Sequence, residues 1–155
     1  MIIWLQILIN ITFSYIASVG FALIINVPHR ALNFAGINGV LGWMVYWVSF
    51  RAHFGRAIPN LLAALALGIF SLLFARIKKC PVTVFNIPGL VPLVPGVPAY
   101  LAVRALLIGE TATAVTMLIR VAVVTGAIAV GTLLATMLME RDYHLRRAWR
   151  HYKAR

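Results

Sequence analysis

Arg120 has the most chemistry to offer of any residue in this chain. It lies about nine residues inside an apolar run at 111–139, where a charge costs roughly 2.5–3.5 kcal/mol on insertion scales. At 100° per residue, Thr113, Thr116, Val124, Ala127 and Gly131 fall within about 40° of it. The wheel therefore predicts an inward face carrying a cation, two hydroxyls and small residues. A planar guanidinium in such a place binds a carboxylate through two parallel donors. The competing role is structural: the arginine snorkels toward the interface and meets Glu110 there.

The second chemical feature is a backbone one. Residues 81–100 read PVTVFNIPGLVPLVPGVPAY, with prolines at 81, 88, 92, 95 and 98. No continuous helix tolerates that series, because each proline removes a donor and crowds the preceding turn. The stretch is apolar all the same, and irregular backbone at membrane depth needs protein or a wet cavity around it. It is expected to be a broken or re-entrant element leading into a helix from about Pro98 to Ile108. Pro88, Pro92, Pro95 and Pro98 should leave the carbonyls of Val84, Pro88, Val91 and Val94 without helical donors. Pro98 suits the first position of a helix, whose free N–H groups attract carboxylates. Gly89 and Gly96 allow a sharp turn or a close approach to a ligand. Tyr100 is placed to hydrogen-bond a substrate and Arg104 to guide anions at the outer mouth; as plain membrane residues they would be a belt tyrosine and an interfacial anchor. A kinked packing helix with no ligand is the competing reading of the whole element.

What is missing narrows the chemistry. The only acids, Glu110, Glu140 and Asp142, fall at the ends of apolar runs, so none is expected to relay a proton or hold a cation within a span. His29, His53, His144 and His151 sit in loops or the tail without the spacing of a metal set. The one cysteine, Cys80, excludes a disulfide framework. There is no G-x-x-x-x-G-K-[ST] for nucleotide phosphates, and no nucleophile–base pair lies within the runs. No metal, no cofactor and no enzymatic activity are expected; coupling to an ion gradient would have to use a partner.

These features must be positioned by membrane helices. Of 155 residues, 63% are hydrophobic and 11% charged, with a mean hydropathy of +0.95, against about 25% charged in a soluble domain. A helical span takes about 20 mostly apolar residues. The pattern predicts an all-α membrane protein with about five transmembrane helices, near 2–26, 31–50, 57–75, 83–108 and 111–139, the fourth broken by the Pro/Gly element. Four spans with one surface-lying segment are the alternative. Gly36, Gly39 and Gly42 clear one face of the second span for close packing. The first run lacks a basic lead and a small-residue cleavage site, so a removable signal peptide is not expected.

Residues 1–140 then form one transmembrane domain and 141–155 a basic tail. With the N-terminus outside, ten of the fourteen Lys and Arg residues lie on the cytoplasmic side: Arg30, Arg76, Lys78, Lys79 and six in the tail. Arg51, Arg56 and Arg104 lie outside, so charge favours that orientation. The net charge of +11 is spaced as topological charge, and no nucleic-acid partner is expected. The tail mixes cations with Tyr143, Trp149 and Tyr152, which suits adsorption to anionic membrane lipids.

Two stretches carry a resemblance: VGFALIINVPHRAL at 19–32 and IPGLVPLVPGVPAY at 87–100. In order and spacing they resemble the small, YjjB-type subunit of the threonine/serine exporter family, which works with a larger YjjP-type subunit. The likeness covers most of the chain. It implies half of a two-component inner-membrane secondary transporter that exports small carboxylates, threonine and serine or succinate. It implies no residue-level mechanism. The PLVPG form of the element is closer to the amino-acid exporters than to the succinate type. A non-transporting membrane scaffold or assembly subunit is the alternative function.

Overall fold

The computed structural model describes residues 2–55 and 57–153, with side chains described from Ile3 to Leu138 except at Arg56. The expectation for Arg56, and those for the side chains of the tail, fall outside the described residues. Six α-helices follow one another: α1 (Ile2–Ile24), α2 (His29–Arg51), α3 (Ala57–Lys78), α4 (Thr83–Leu90), α5 (Gly96–Leu107) and α6 (Thr111–Lys153). A single 3-10 turn, Val91–Leu93, separates α4 from α5. No strand occurs among the described residues.

Four helices are long and apolar enough to cross a membrane, and α4 with α5 makes a fifth if that pair, bent by 55°, is one span. The fold is all-α, as composition and periodicity require. Helix ends follow local chemistry. Asn26 (φ 56°), Lys79 (φ 51°) and Gly109 (φ 81°) take the left-handed conformation just past α1, α3 and α5. The next residue's N–H then reaches back five positions: Val27 to Ala22 (2.9 Å), Cys80 to Ala75 (3.2 Å) and Glu110 to Ala105 (2.9 Å). Each bond satisfies a carbonyl that the helix end would orphan.

The helices form an open row rather than a closed bundle. α1 packs on α2, α2 on α3, α3 on α6 and α6 on α5, while α4 nests against α1, α2 and α3. Small residues make the close crossings. Side chains at Gly36 and Gly39 would strike Tyr15, Val19 and Ser18 of α1, and one at Gly42 would meet Leu67 of α3 at 2.8 Å. A Cβ on Gly131 of α6 would meet Ala64 at 2.9 Å and Leu65 N at 3.1 Å, and Gly68 faces Ala135. Without a hydrophobic drive between helices in lipid, such close backbone approach supplies the association energy.

These contacts also fix a register. Residues 131–135 of α6 lie beside 61–68 of α3, and both helices run the same way. Arg120, eleven residues earlier at 1.5 Å per residue, therefore lies about 16 Å along the axis from Gly131, level with the α2–α3 turn. The sequence alone placed it well inside a span. The register shifts it toward that end of the α1–α3 body, because α6 starts between three and four turns before α3 does.

One buried polar node ties α4 into that body. The Asn38 Nδ2 donates to Ser71 Oγ (2.8 Å) and to the Phe85 carbonyl (3.0 Å), joining α2 to α3 and α4. Phe85 and Pro88 are fully buried beside it.

Candidate functional site

A cavity of about 390 Å³ opens where the broken element meets α6. Pro92 to Pro98 form one wall, Arg120 and Val124 of α6 a second, and Trp43, Tyr46 and Phe50 of α2 with Asn60 of α3 the rest. The fold thus brings Arg120 together with Pro92, Pro95, Gly96 and Pro98 in one space. Arg120 is half-buried and has no ion pair or hydrogen bond among the described residues. Glu110, considered above as its partner, is exposed in the α5–α6 turn.

Backbone geometry at the break differs from expectation. α5 begins at Gly96, with Pro95 as its N-cap (φ −77°, ψ 56°), so Pro98 holds the third helical position rather than the first. The position suits it because first-turn N–H groups have no intrahelical acceptor. The carbonyls expected to be free are largely engaged. Val91 N–H donates to Pro88 O, Val94 N–H to Val91 O (3.4 Å) and Gly96 N–H to Val94 O (2.8 Å). Tight turns replace the lost helical bonds, as a chain with little water nearby demands. At the start of α5, Ala99 N–H donates to Pro95 O at 3.1 Å, while Val97 N–H has no acceptor among the described residues. Val97 is itself one of the residues lining the cavity.

Other expected members of the site stand elsewhere. Pro88 and Gly89 are buried within α4, away from the cavity. A Cβ on Gly89 would meet Asn38 Nδ2 at 2.7 Å and Leu67 at 3.2 Å, so this glycine serves helix packing rather than ligand approach. Thr113 and Thr116 are exposed, and the Thr116 hydroxyl donates to the Ala112 carbonyl at 2.9 Å. The buried face of α6 runs through Ala114, Val124, Ala127, Gly131 and Ala135. Its centre lies about 40° round from Arg120 and about 80° from Thr116, which keeps Arg120 within that face and leaves Thr116 outside it. Tyr100 is 67% exposed, Arg104 is exposed in the last turn of α5, and neither lines the cavity.

Sequence reasoning missed the wall opposite Arg120. Trp43, Tyr46 and Phe50 recur at helical spacing, with ring centroids 5.1 Å apart for the first pair and 5.7 Å for the second. The spacing was visible, but nothing in one helix says what it faces. Asn60, buried in an otherwise apolar start of α3, was the other available signal. Among the described residues, the lining holds one cation, one amide, three aromatic side chains and no acid. Such a lining suits a small organic anion better than a metal ion.

A family model described as threonine/serine exporter, ThrE, matches residues 10–138. No solved structure matches the chain.

Proposed function

The chain belongs to the threonine/serine exporter family, and on that premise we propose that it is one subunit of a secondary transporter that exports small carboxylates. Its substrates would be threonine and serine or succinate, its companion a larger YjjP-type subunit, and its place the inner membrane. Five crossings, with the N-terminus outside and the C-terminus in the cytoplasm, agree with the distribution of positive charge. Residues 1–140 would be the transport domain and 141–155 the lipid-facing tail.

One observation carries the site: Arg120 and the start of the broken helix line the same cavity. The substrate carboxylate would lie between the Arg120 guanidinium and the first turn of α5, where the helix dipole and the Val97 N–H add to the cation's field. Broken helices holding ligands in this way recur in secondary transporters. Pro92, Pro95 and Pro98 would keep the break open, and Gly96 would leave room beside it. With no acid among the described lining residues, a coupling ion would be handled by the companion subunit.

The test is efflux of threonine, serine and succinate from cells carrying both subunits, normalised to assembled complex. Arg120→Leu should assemble and lose at least about 90% of transport. Arg120→Lys, which keeps charge but not the two-donor fork, should lose most of it. Wild-type efflux by Arg120→Leu would remove the proposed site.

A further inference from the structure

We propose that a second cavity, beside α1, is a further station for the solute on the transport path, and that the Trp43 indole is the gate between it and the Arg120 cavity. The second station would take a small polar solute through the Asn10 amide and the Ser14 hydroxyl. The inference rests on the reading of the Arg120 cavity as part of that path.

The two cavities share a wall. Asn10 and Ser14 of α1 line the second, of about 270 Å³, together with Trp43 and Pro92, and these last two also line the Arg120 cavity. At about 30 Å³ of liquid per water, the space admits a small solute. A Cβ at Gly36 would strike Tyr15 and Val19, and one at Gly39 would strike Ser18, so residues 15–19 of α1 lie beside 36–39 of α2. The second cavity therefore leads from Trp43 toward the start of α2, whereas the Arg120 cavity leads through Tyr46 and Phe50 toward its end. Asn10, Ser14 and Ser18 recur every four residues on one face of α1. Ser14 is buried and Ser18 fully so, and Ser18 Oγ has no hydrogen-bond partner among the described residues. A buried hydroxyl in that state is uncommon and needs a reason. A path for a polar solute supplies one.

Trp43 is latched across the seam between α1 and α2. Its Nε1 donates to Asn10 Oδ1 at 2.6 Å, and its ring meets Tyr46 on its own helix. That bond occupies the acceptor the second cavity would offer a solute. The other polar hydrogens there are already committed: Asn10 Nδ2 donates to the Gln6 carbonyl at 2.7 Å, and the Ser14 hydroxyl to the Asn10 carbonyl at 2.6 Å. Release of the indole would free Asn10 Oδ1 in the same motion that clears the shared wall. The other shared residue, Pro92, belongs to the 3-10 turn where α4 and α5 bend by 55°. Among the described residues α5 packs on α6 alone, so a change in the bend would move Pro92 relative to Trp43. Closure of a site by so local a rearrangement is a common way to gate it.

The experiment uses the full chain assembled with its companion subunit, in a Cys80→Ala background that removes the one native thiol. Ser14→Cys places a thiol in the second cavity, and Ile16→Cys places one on the exposed side of α1 as a control. The probe is the charged, membrane-impermeant reagent 2-(trimethylammonium)ethyl methanethiosulfonate, applied to permeabilised membranes so that both faces are reached. Ser14→Cys should react slowly on its own. Trp43→Ala should speed that reaction about ten-fold. Trp43→Phe, which keeps a ring and loses the N–H, should speed it about five-fold, the worth of one hydrogen bond. Ile16→Cys should respond to neither. In proteoliposomes the same Trp43 variants should keep downhill L-threonine flux and lose uphill export, as a path that no longer closes must. Trp43→Phe supplies both readings if Trp43→Ala fails to assemble. Unchanged reactivity at Ser14→Cys, an equal rise at Ile16→Cys, or loss of downhill flux along with uphill export would overturn the gate. Fully active Arg120→Leu with the expected Trp43 results removes the carboxylate site and leaves the gate. Inactive Arg120→Leu with unchanged Ser14→Cys reactivity removes the gate alone.

Discussion

The two halves of the broken element have similar composition and opposite surroundings. α4 is wedged among α1, α2 and α3, with Phe85, Pro88 and Gly89 buried and Asn38 bonded to its backbone. α5 packs on α6 alone, burying Ala102 and Ala105 while Val97, Tyr100 and Leu107 stay exposed. The cavity lies at the joint between them. A fixed half on one side and a half held by a single neighbour on the other let a bend be both defined and adjustable. Prolines alone do not produce this: Pro88 is part of the fixed half, and Pro95 caps the loose one. The difference comes from what each half is packed against.

The largest effect should come from emptying the fixed half. Phe85→Ala removes a fully buried ring in contact with Phe74, whose centroid is 6.2 Å away. In soluble cores such a change costs about 3–5 kcal/mol. Lipid supplies no hydrophobic drive between helices, so the packing part alone, about 2 kcal/mol, is expected here. Tyr100→Ala on α5 should change stability by less than about 0.5 kcal/mol. Unfolding of the detergent-solubilised protein checks the pair; equal losses would show that α5 is as firmly held as α4.

A smaller effect, on transport alone, is expected at the joint. Pro95→Ala gives position 95 an N–H that can donate back toward the Val91 carbonyl and extend the 3-10 turn into a helix. Efflux per assembled complex should fall about three- to ten-fold while the melting temperature holds or rises. Unchanged efflux would mean that the bend does not depend on this proline.

How much of this was legible beforehand divides along the same line. The spans, the break and the closeness of Gly36, Gly39 and Gly42 to a neighbour follow from local rules: apolar length, proline chemistry and small-residue spacing. Arg120 stood out because a cation in an apolar run needs a reason. The companions assigned to it did not follow as well. A helical wheel ranks Thr113 and Thr116 beside Arg120 but cannot say where the neighbouring helices stand, and packing through Ala114 and Gly131 turns Thr116 outward. The engaged carbonyls of Val91 and Val94 depend on turns that only the folded break displays. Tyr46 and Asn60 join the site through contacts between distant segments, which no single stretch of sequence encodes.

The finest test of the comparison sets one glycine in each half against the other. Gly89 sits inside α4, where alanine would gain about 0.5–1 kcal/mol of helix propensity. Its added methyl would lie 2.7 Å from Asn38 Nδ2 and 3.2 Å from Leu67. That amide is held by Ser71 and the Phe85 carbonyl, so it cannot yield without loosening the node that binds α4. Overpacking of this kind costs about 1–3 kcal/mol, which exceeds the propensity gain. Gly89→Ala should therefore be destabilised by about 1 kcal/mol net. Gly96 opens α5, and a Cβ built there meets nothing within 4 Å. Propensity counts for little at a helix's first position, and there is no neighbour to displace. Gly96→Ala should keep its stability within about 0.5 kcal/mol, and one methyl in a cavity of about 390 Å³ should lower efflux less than two-fold. If Gly96→Ala is the more damaged of the two, α5 is not the loosely held half, and the joint must be sought on the α4 side.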